Sequence, residues 1–199
     1  MIRQLAALLT LGCLVAGTAR AAEPFARYRG TVETRDGETL TIRQRTGGSV
    51  TMLMNPKTRM FTATEGRLRD IKPESYIGIV AVREGDGPPK PTEVTIFSPS
   101  ERGFEAGSQP WDTAAGATLT AGWIAEISWQ TPRRVVLRYT SGQASFTIPQ
   151  GTRTTQMGPG EKALLVEGAE VTAFVRTDAA GVIHADLVAV GRQGAVPTL

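Results

Sequence analysis

The chain has 199 residues, with 22 Lys and Arg against 19 Asp and Glu, one His and one Cys. A formal net charge of +3 is small for a general polyanion binder, and one thiol and one imidazole leave little material for a Cys or His metal site. The length suits one domain or two small ones.

The first residues, MIRQLAALLTLGCLVAGTARAAEP, carry Arg3, an apolar run from Leu5 to Ala16 and the small-x-small triplet Ala19-Arg20-Ala21. This pattern predicts a signal peptide over residues 1–21, because the apolar run is shorter than the ~20 residues a membrane span needs. No later stretch is long and apolar enough to span. The mature chain is therefore expected to be periplasmic or secreted. Leu11-Gly12-Cys13 carries a competing reading, the end of a lipobox, which would leave the protein lipid-anchored at Cys13. Cleavage after Ala21 removes the only Cys and leaves 20 basic against 19 acidic residues, a net charge of +1.

RYRGTVETRDGETLTIRQRTGGSVTML alternates apolar and polar residues around Asp36-Gly37 and Gly47-Gly48, pairs that favour tight hairpins. Three consecutive antiparallel strands are predicted. NPKTRM, a charged turn LRDIKPES, a strand YIGIVAVRE, a tip GDGPPKP and a strand TEVTIFS follow. The second half runs in the same order through LTAGWIAEISW, RRVVLRYTSG, QASFTIPQGTRTTQ, ALLVEGAE, VTAFVRTDAAG and IHADLVAVG. Thr58 and Thr152 lie 94 residues apart, as do Ile71 and Leu165, and Ile77 and Val171. A constant offset across separate landmarks predicts a tandem duplication.

Each copy is expected to form five strands, with one short connector between the third and fourth, and to close as a small OB-like β-barrel. The expected fold is thus all-β: barrels over residues 24–98 and 117–192, a linker over 99–116 and a tail over 193–199. Helix is expected only around Leu68 to Lys72 and Lys162 to Glu167. In the first strand of the second copy Leu119, Ala121, Trp123, Ala125, Ile127 and Trp129 share one face, expected to point inward, opposite Thr118, Thr120, Glu126 and Ser128.

Gly30-Thr31-Val32, Thr58 and Ile71-Lys72-Pro73-Glu74-Ser75-Tyr76-Ile77 resemble a bacterial secreted repeat of unknown function. Its pattern is Gly-x-Val, a Thr after the third strand and a turn Leu-Lys-x-Gly-Asp-x-Val. The second copy is similar at Thr152 and Leu165-Val166-Glu167-Gly168-Ala169-Glu170-Val171. Glu74 stands where the pattern has the turn glycine. The linker RGFEAGSQPWD and the ending GRQGAVPTL also resemble alphaproteobacterial exported proteins. Some of these go by the name of metal-transport permeases, which the lack of spans here speaks against. The resemblance implies fold and export and supplies no activity.

The only histidine, His184, sits in GVIHADLVAVG opposite Ile183, Ala185 and Leu187, as an exposed strand residue would. No motif places a nucleophile beside it, so no catalytic residue is assigned and the chain is read as a non-enzyme without a cofactor. Met52, Met54 and Met60 cluster in TMLMNPKTRM and could offer thioethers to a soft ion such as copper(I), although Met also fills barrel cores. Nucleic-acid binding needs aromatics on a basic groove. Arg43 and Arg45, Arg67 and Arg69, and Arg133 and Arg134 are instead scattered, and Trp123 and Trp129 belong to the apolar face. The expected role is a periplasmic binding or adaptor module for an envelope protein or small ligand, with ligand or soft-metal binding as the alternative. Phe104, Trp111 and Asp112 are the candidate contact residues. Because aromatics are rare in flexible linkers, the loop is expected to fold back, with Trp111 between the barrels and Phe104 against the first.

Overall fold

The alternation in the first three segments is the alternation of a meander. In a computed structural model, which describes residues 25–197, β1 (Phe25–Asp36), β2 (Thr39–Gln44) and β3 (Ser49–Leu53) pair antiparallel in sequence order. Gly37, Gly47 and Gly48 turn the chain at φ of +56°, +95° and +76°, values a side chain would resist. The expected signal peptide, Cys13 and the extreme C-terminus lie outside the described residues.

The first half continues with β4 (Arg59–Glu65), a 3₁₀ turn at Leu68–Asp70, β5 (Tyr76–Val82) and β6 (Lys90–Phe97). A 3₁₀ turn at Pro99–Glu101 and β7 (Gly107–Pro110) lead to β8 (Ala117–Ile127), β9 (Arg133–Tyr139) and β10 (Gly142–Ile148). Then come β11 (Arg153–Pro159), a 3₁₀ turn at Lys162–Leu164, β12 (Glu170–Thr177) and β13 (Ile183–Gly191). The protein is all-β, and helix is limited to these 3₁₀ turns among the described residues. The connector expected between the third and fourth strands of each half is itself a strand, β4 or β11. Its buried positions, Phe61 and Ala63 or Thr154, Thr155 and Met157, are too few and too polar to mark a strand by apolar alternation.

Pairing departs from the expected layout. A five-stranded barrel closes through β1, β2, β3, β13 and β12: β12 lies antiparallel to β1, and β13 touches β3 where His184 meets Leu53. Three of its strands come from the first half of the chain and two from the second. The other five strands run β10, β9, β8, β5, β6, again mixing the halves, and β6 approaches β10 without a ladder. Between the two sets β4 and β11 pair with each other, and each extends one set in parallel through β13 or β6. Residues 24–98 and 117–192 therefore do not close separately. The physical reason is that β5 and β12 read alike, and alternation says which face is buried but not which neighbour a strand takes.

Three apolar clusters follow from this exchange. One fills the closed barrel, with Leu40, Ile42 and Met52 against Val171 and Val188. A second fills the other set, with Ile77, Ile79 and Val94 against Leu137 and Ile148. The third lies between them and gathers Phe61, Tyr76 and Phe97 with Leu119, Phe174 and Leu187.

The face expected to point inward on β8 splits between these clusters. Leu119 and Ala121 face the seam, while Ile124, from the opposite face, enters the second core. Trp123 stands at the edge of the seam against Tyr76 and is 40 % exposed; past an irregularity between Ile124 and Glu126 the faces swap, so Ile127 packs against the second core, Glu126 is exposed, and Trp129, beyond the strand, is 56 % exposed. A β-bulge displaces alternation by one residue, and both faces here had apolar positions to offer.

Gly30 and Gly122 explain the Gly-x-Val glycine. A Cβ at Gly30 would lie 1.9 Å from the Arg43 carbonyl oxygen, and one at Gly122 2.7 Å from that of Arg138. The first strand of each half bends against the second at this point, and only a hydrogen fits.

Candidate binding cleft at the seam

The linker is held by backbone pairing before any side chain acts. β7 adds to the edge of β8, with Gly107 opposite Ala121 and Pro110 opposite Thr118, and the Trp111 N–H donates to Ala117 O at 2.8 Å. This fixes the direction in which Trp111 leaves the strand. Its ring is 4 % exposed within the seam cluster, 6.3 Å from Phe174. Phe104 packs edge-on to Phe61 at 5.3 Å and to Phe174 at 5.5 Å, touching side chains from both halves rather than the first alone. The Tyr76 hydroxyl donates to Phe104 O at 3.0 Å, and burial, helped by Glu105, pushes its pKa up to about 12.

Opposite the linker stands β1. Its even-numbered side chains, Ala26 and Tyr28, pack against the barrel core, so Arg27 and Arg29 project together from the other face. The Arg27 guanidinium lies 3.7 Å from the Trp111 ring centroid, a cation–π contact in a largely desolvated setting. Arg29 donates through both terminal nitrogens to the two Asp112 oxygens at 2.9 Å each, and Arg27 lies 3.6 Å from the same carboxylate. Burial pulls the Arg27 pKa below the usual arginine value, against the pull of Asp112 and Glu105. Burial would raise the Asp112 pKa, but the Arg29 hydrogen bonds and the charges of Arg29 and Arg27 outweigh it and hold the carboxyl low.

These groups border a cleft of about 400 Å³ whose walls carry four guanidinium groups, Arg27, Arg29, Arg45 and Arg153, against two carboxylates, Glu93 and Asp112. Arg45 donates to Glu170 at 2.6 Å. The exposed Arg153 has no hydrogen-bond or ion-pair partner among the described residues. Chemically the cleft is a cationic socket in which one carboxylate is already seated. Sequence reasoning found Trp111 and Asp112 through the oddity of aromatics in a polar loop. It missed the arginines, although Arg27 and Arg29 sit two apart in FARYRG, the spacing that puts both on one face of a strand.

The remaining candidates lie elsewhere. Met52 and Met54 are each 1 % exposed inside the closed barrel, and Met60 packs against the same cluster. Their sulfurs sit among apolar side chains. His184 and Asp178 are joined at 2.9 Å across the hairpin from β12 to β13. The same carboxylate accepts from the Val182 and Ala180 N–H groups, and the His184 hydrogen bond, helped by these two, holds its pKa below the usual range. This pairing was not foreseen from sequence, where His184 was read only as an exposed strand residue. Among the described residues no three His, Cys, Asp or Glu side chains are grouped to hold a metal ion. No helix among them is long and apolar enough to cross a membrane.

The chain matches no protein-family model, no curated protein and no solved structure. Any functional reading therefore stands on the residues themselves.

Proposed function

We propose that the protein is a non-catalytic binding or adaptor module of the cell envelope, and that the arginine-lined cleft at the seam holds an anionic group of its ligand or partner. The carrying observation is the bidentate Arg29–Asp112 pair with Arg27 alongside, a working carboxylate site at the wall of a cleft that still has Arg153 to offer. Forked guanidinium geometry suits carboxylate and phosphate oxygens alike. The reading as an exported protein rests on the N-terminal sequence and on the resemblance to secreted repeats. The shared order of strands and 3₁₀ turns in the two halves supports a duplicated OB-like unit whose fourth and fifth strands have exchanged.

Thermal melts of the mature chain against inorganic phosphate, citrate and copper(I) test the proposal. A ligand that binds the folded state raises the midpoint with its concentration. Citrate or phosphate should do so beyond a chloride control of equal ionic strength, and Arg153→Ala should remove most of the shift. A shift with copper(I) alone would move the site to the methionines and overturn the cleft.

A further inference from the structure

The outer faces of the two three-stranded meanders are built alike and finished differently. On β1–β3 the exposed polar side chains bond to one another. Glu33 accepts from Arg43 at 2.8 Å and from Ser49 at 2.5 Å, and the Thr41 and Thr51 hydroxyls meet at 3.0 Å. On β8–β10 they do not. Glu126, Arg134, Arg138, Ser145 and Thr147 are exposed, and none makes a side-chain hydrogen bond or ion pair among the described residues.

Strand register brings these five together. Glu126 is opposite Val136, which is opposite Ser145, and the next row pairs Arg134 with Thr147. On the other side of Glu126, Arg138 is opposite the half-exposed Trp123. Glu126, Arg134, Ser145 and Thr147 line a groove of about 490 Å³, within the ~300–1,000 Å³ range of small-ligand sites, and Arg138 and Trp123 stand one row beyond it on the same face.

We infer that this face binds a saccharide. The state of its carboxylate separates it from the seam cleft. There Asp112 is already paired with Arg29, whereas the Glu126 oxygens have no side-chain partner among the described residues and are open to a donor, which an anion does not supply. A sugar hydroxyl both donates and accepts, so a row of guanidinium, carboxylate and hydroxyl groups at strand spacing can satisfy several vicinal hydroxyls at once. A pyranose also presents an apolar face of C–H groups, for which Trp123, one row beyond Glu126 on the same face, is the natural platform. Trp123 is kept in place by Tyr76, edge-on at 5.6 Å, and by the Arg102 guanidinium 5.0 Å from its ring centroid, and is still 40 % exposed, so the platform is ordered before a ligand arrives. The self-bonded face on β1–β3 would have to break its own hydrogen bonds to do the same, and serves as the internal control.

Titration calorimetry and tryptophan fluorescence of the full mature chain with cellohexaose, maltohexaose and chitohexaose test the inference. At least one should bind saturably below about 10 mM. Trp123→Ala and, separately, Glu126→Gln should each weaken it about tenfold or more, while Thr41→Ala on the other meander leaves it unchanged. Because the Glu126 side chain makes no hydrogen bond or ion pair among the described residues, its variant stays informative even where Trp123→Ala disturbs folding. Binding should persist from about 50 to 500 mM salt, and citrate should not compete. No saturable binding by any of the three, or binding indifferent to Glu126→Gln and Trp123→Ala, overturns the inference. So does binding of dextran sulfate alone with a steep salt dependence, which would make the face a polyanion patch. A negative result here leaves the phosphate and citrate melts of the seam cleft untouched.

Discussion

Trp111 combines a large apolar surface, a guanidinium over one face and an indole N–H without a hydrogen-bond partner among the described residues. Burying that donor opposes what burying the ring gains, by about 1–3 kcal/mol. Trp111→Ala, which empties the seam, should cost about 3–5 kcal/mol, whereas Trp111→Phe keeps most of the packing, drops the donor and should cost far less. Urea unfolding of both variants separates these contributions; equal losses would mean that the N–H does have a partner. Beside it, Asp112 has a carboxyl pKa held below the unfolded value of about 3.9. A group depressed in this way stabilises the fold above the unfolded pKa, and the contribution is lost as the pH falls through the folded one. Asp112→Asn should therefore cost at most about 1 kcal/mol near neutrality, as a partly exposed pair does, and flatten the acid limb of stability against pH. Phe104, Trp111 and Asp112 were legible in the sequence because they are out of character for a loop. Arg27 and Arg29 were not, since an arginine on a strand is in character almost anywhere.

At the level of strands, the hairpin turns and alternation of β1, β2 and β3 could be read directly, because each has one dry and one wet face. β4 and β11 could not, because their buried faces carry small or polar residues such as Ala63, Thr154 and Thr155. β7 escaped notice because four residues, GSQP, carry no apolar alternation at all and are strand only by virtue of the β8 edge they pair with. The bends at Gly30 and Gly122 give a ranking that tests this description. A methyl group at Gly30 would meet backbone oxygen at 1.9 Å and at Gly122 at 2.7 Å. Backbone on the partner strand has little room to retreat, so Gly30→Ala should cost about 3 kcal/mol or more and Gly122→Ala about 1–3 kcal/mol. Denaturant midpoints in the reverse order would show that β2 yields more readily than β9.

Across the whole molecule the exchange of β5 and β6 for β12 and β13 makes each half a structural part of the other. Residues 24–98 made alone have no partner for the inner edge of β1, and residues 117–192 none for β8. Each half should show little strand signal by circular dichroism, and mixing the two should restore it. The intact chain should unfold in one transition with equal calorimetric and van't Hoff enthalpies. Two transitions, or halves that fold alone, would support the separate barrels expected from the sequence. The alternation in the chain was sufficient for an all-β fold. It was silent on exchange, because two segments with the same pattern compete for the same place and the pattern cannot rank them.

The ladder that joins Gly30 to Val171 also imposes an order in time. The first three strands to leave the ribosome belong to the last barrel that can close, since β12 and β13 are made at the far end of the chain. Until then β1 presents a bare edge, and every closing contact spans most of the sequence. Folding governed by such distant contacts is slow and leaves sticky intermediates exposed for longer. The closed barrel thus remains without a finished core until nearly all of the chain is present, a state in which it is still free to be threaded, escorted or degraded.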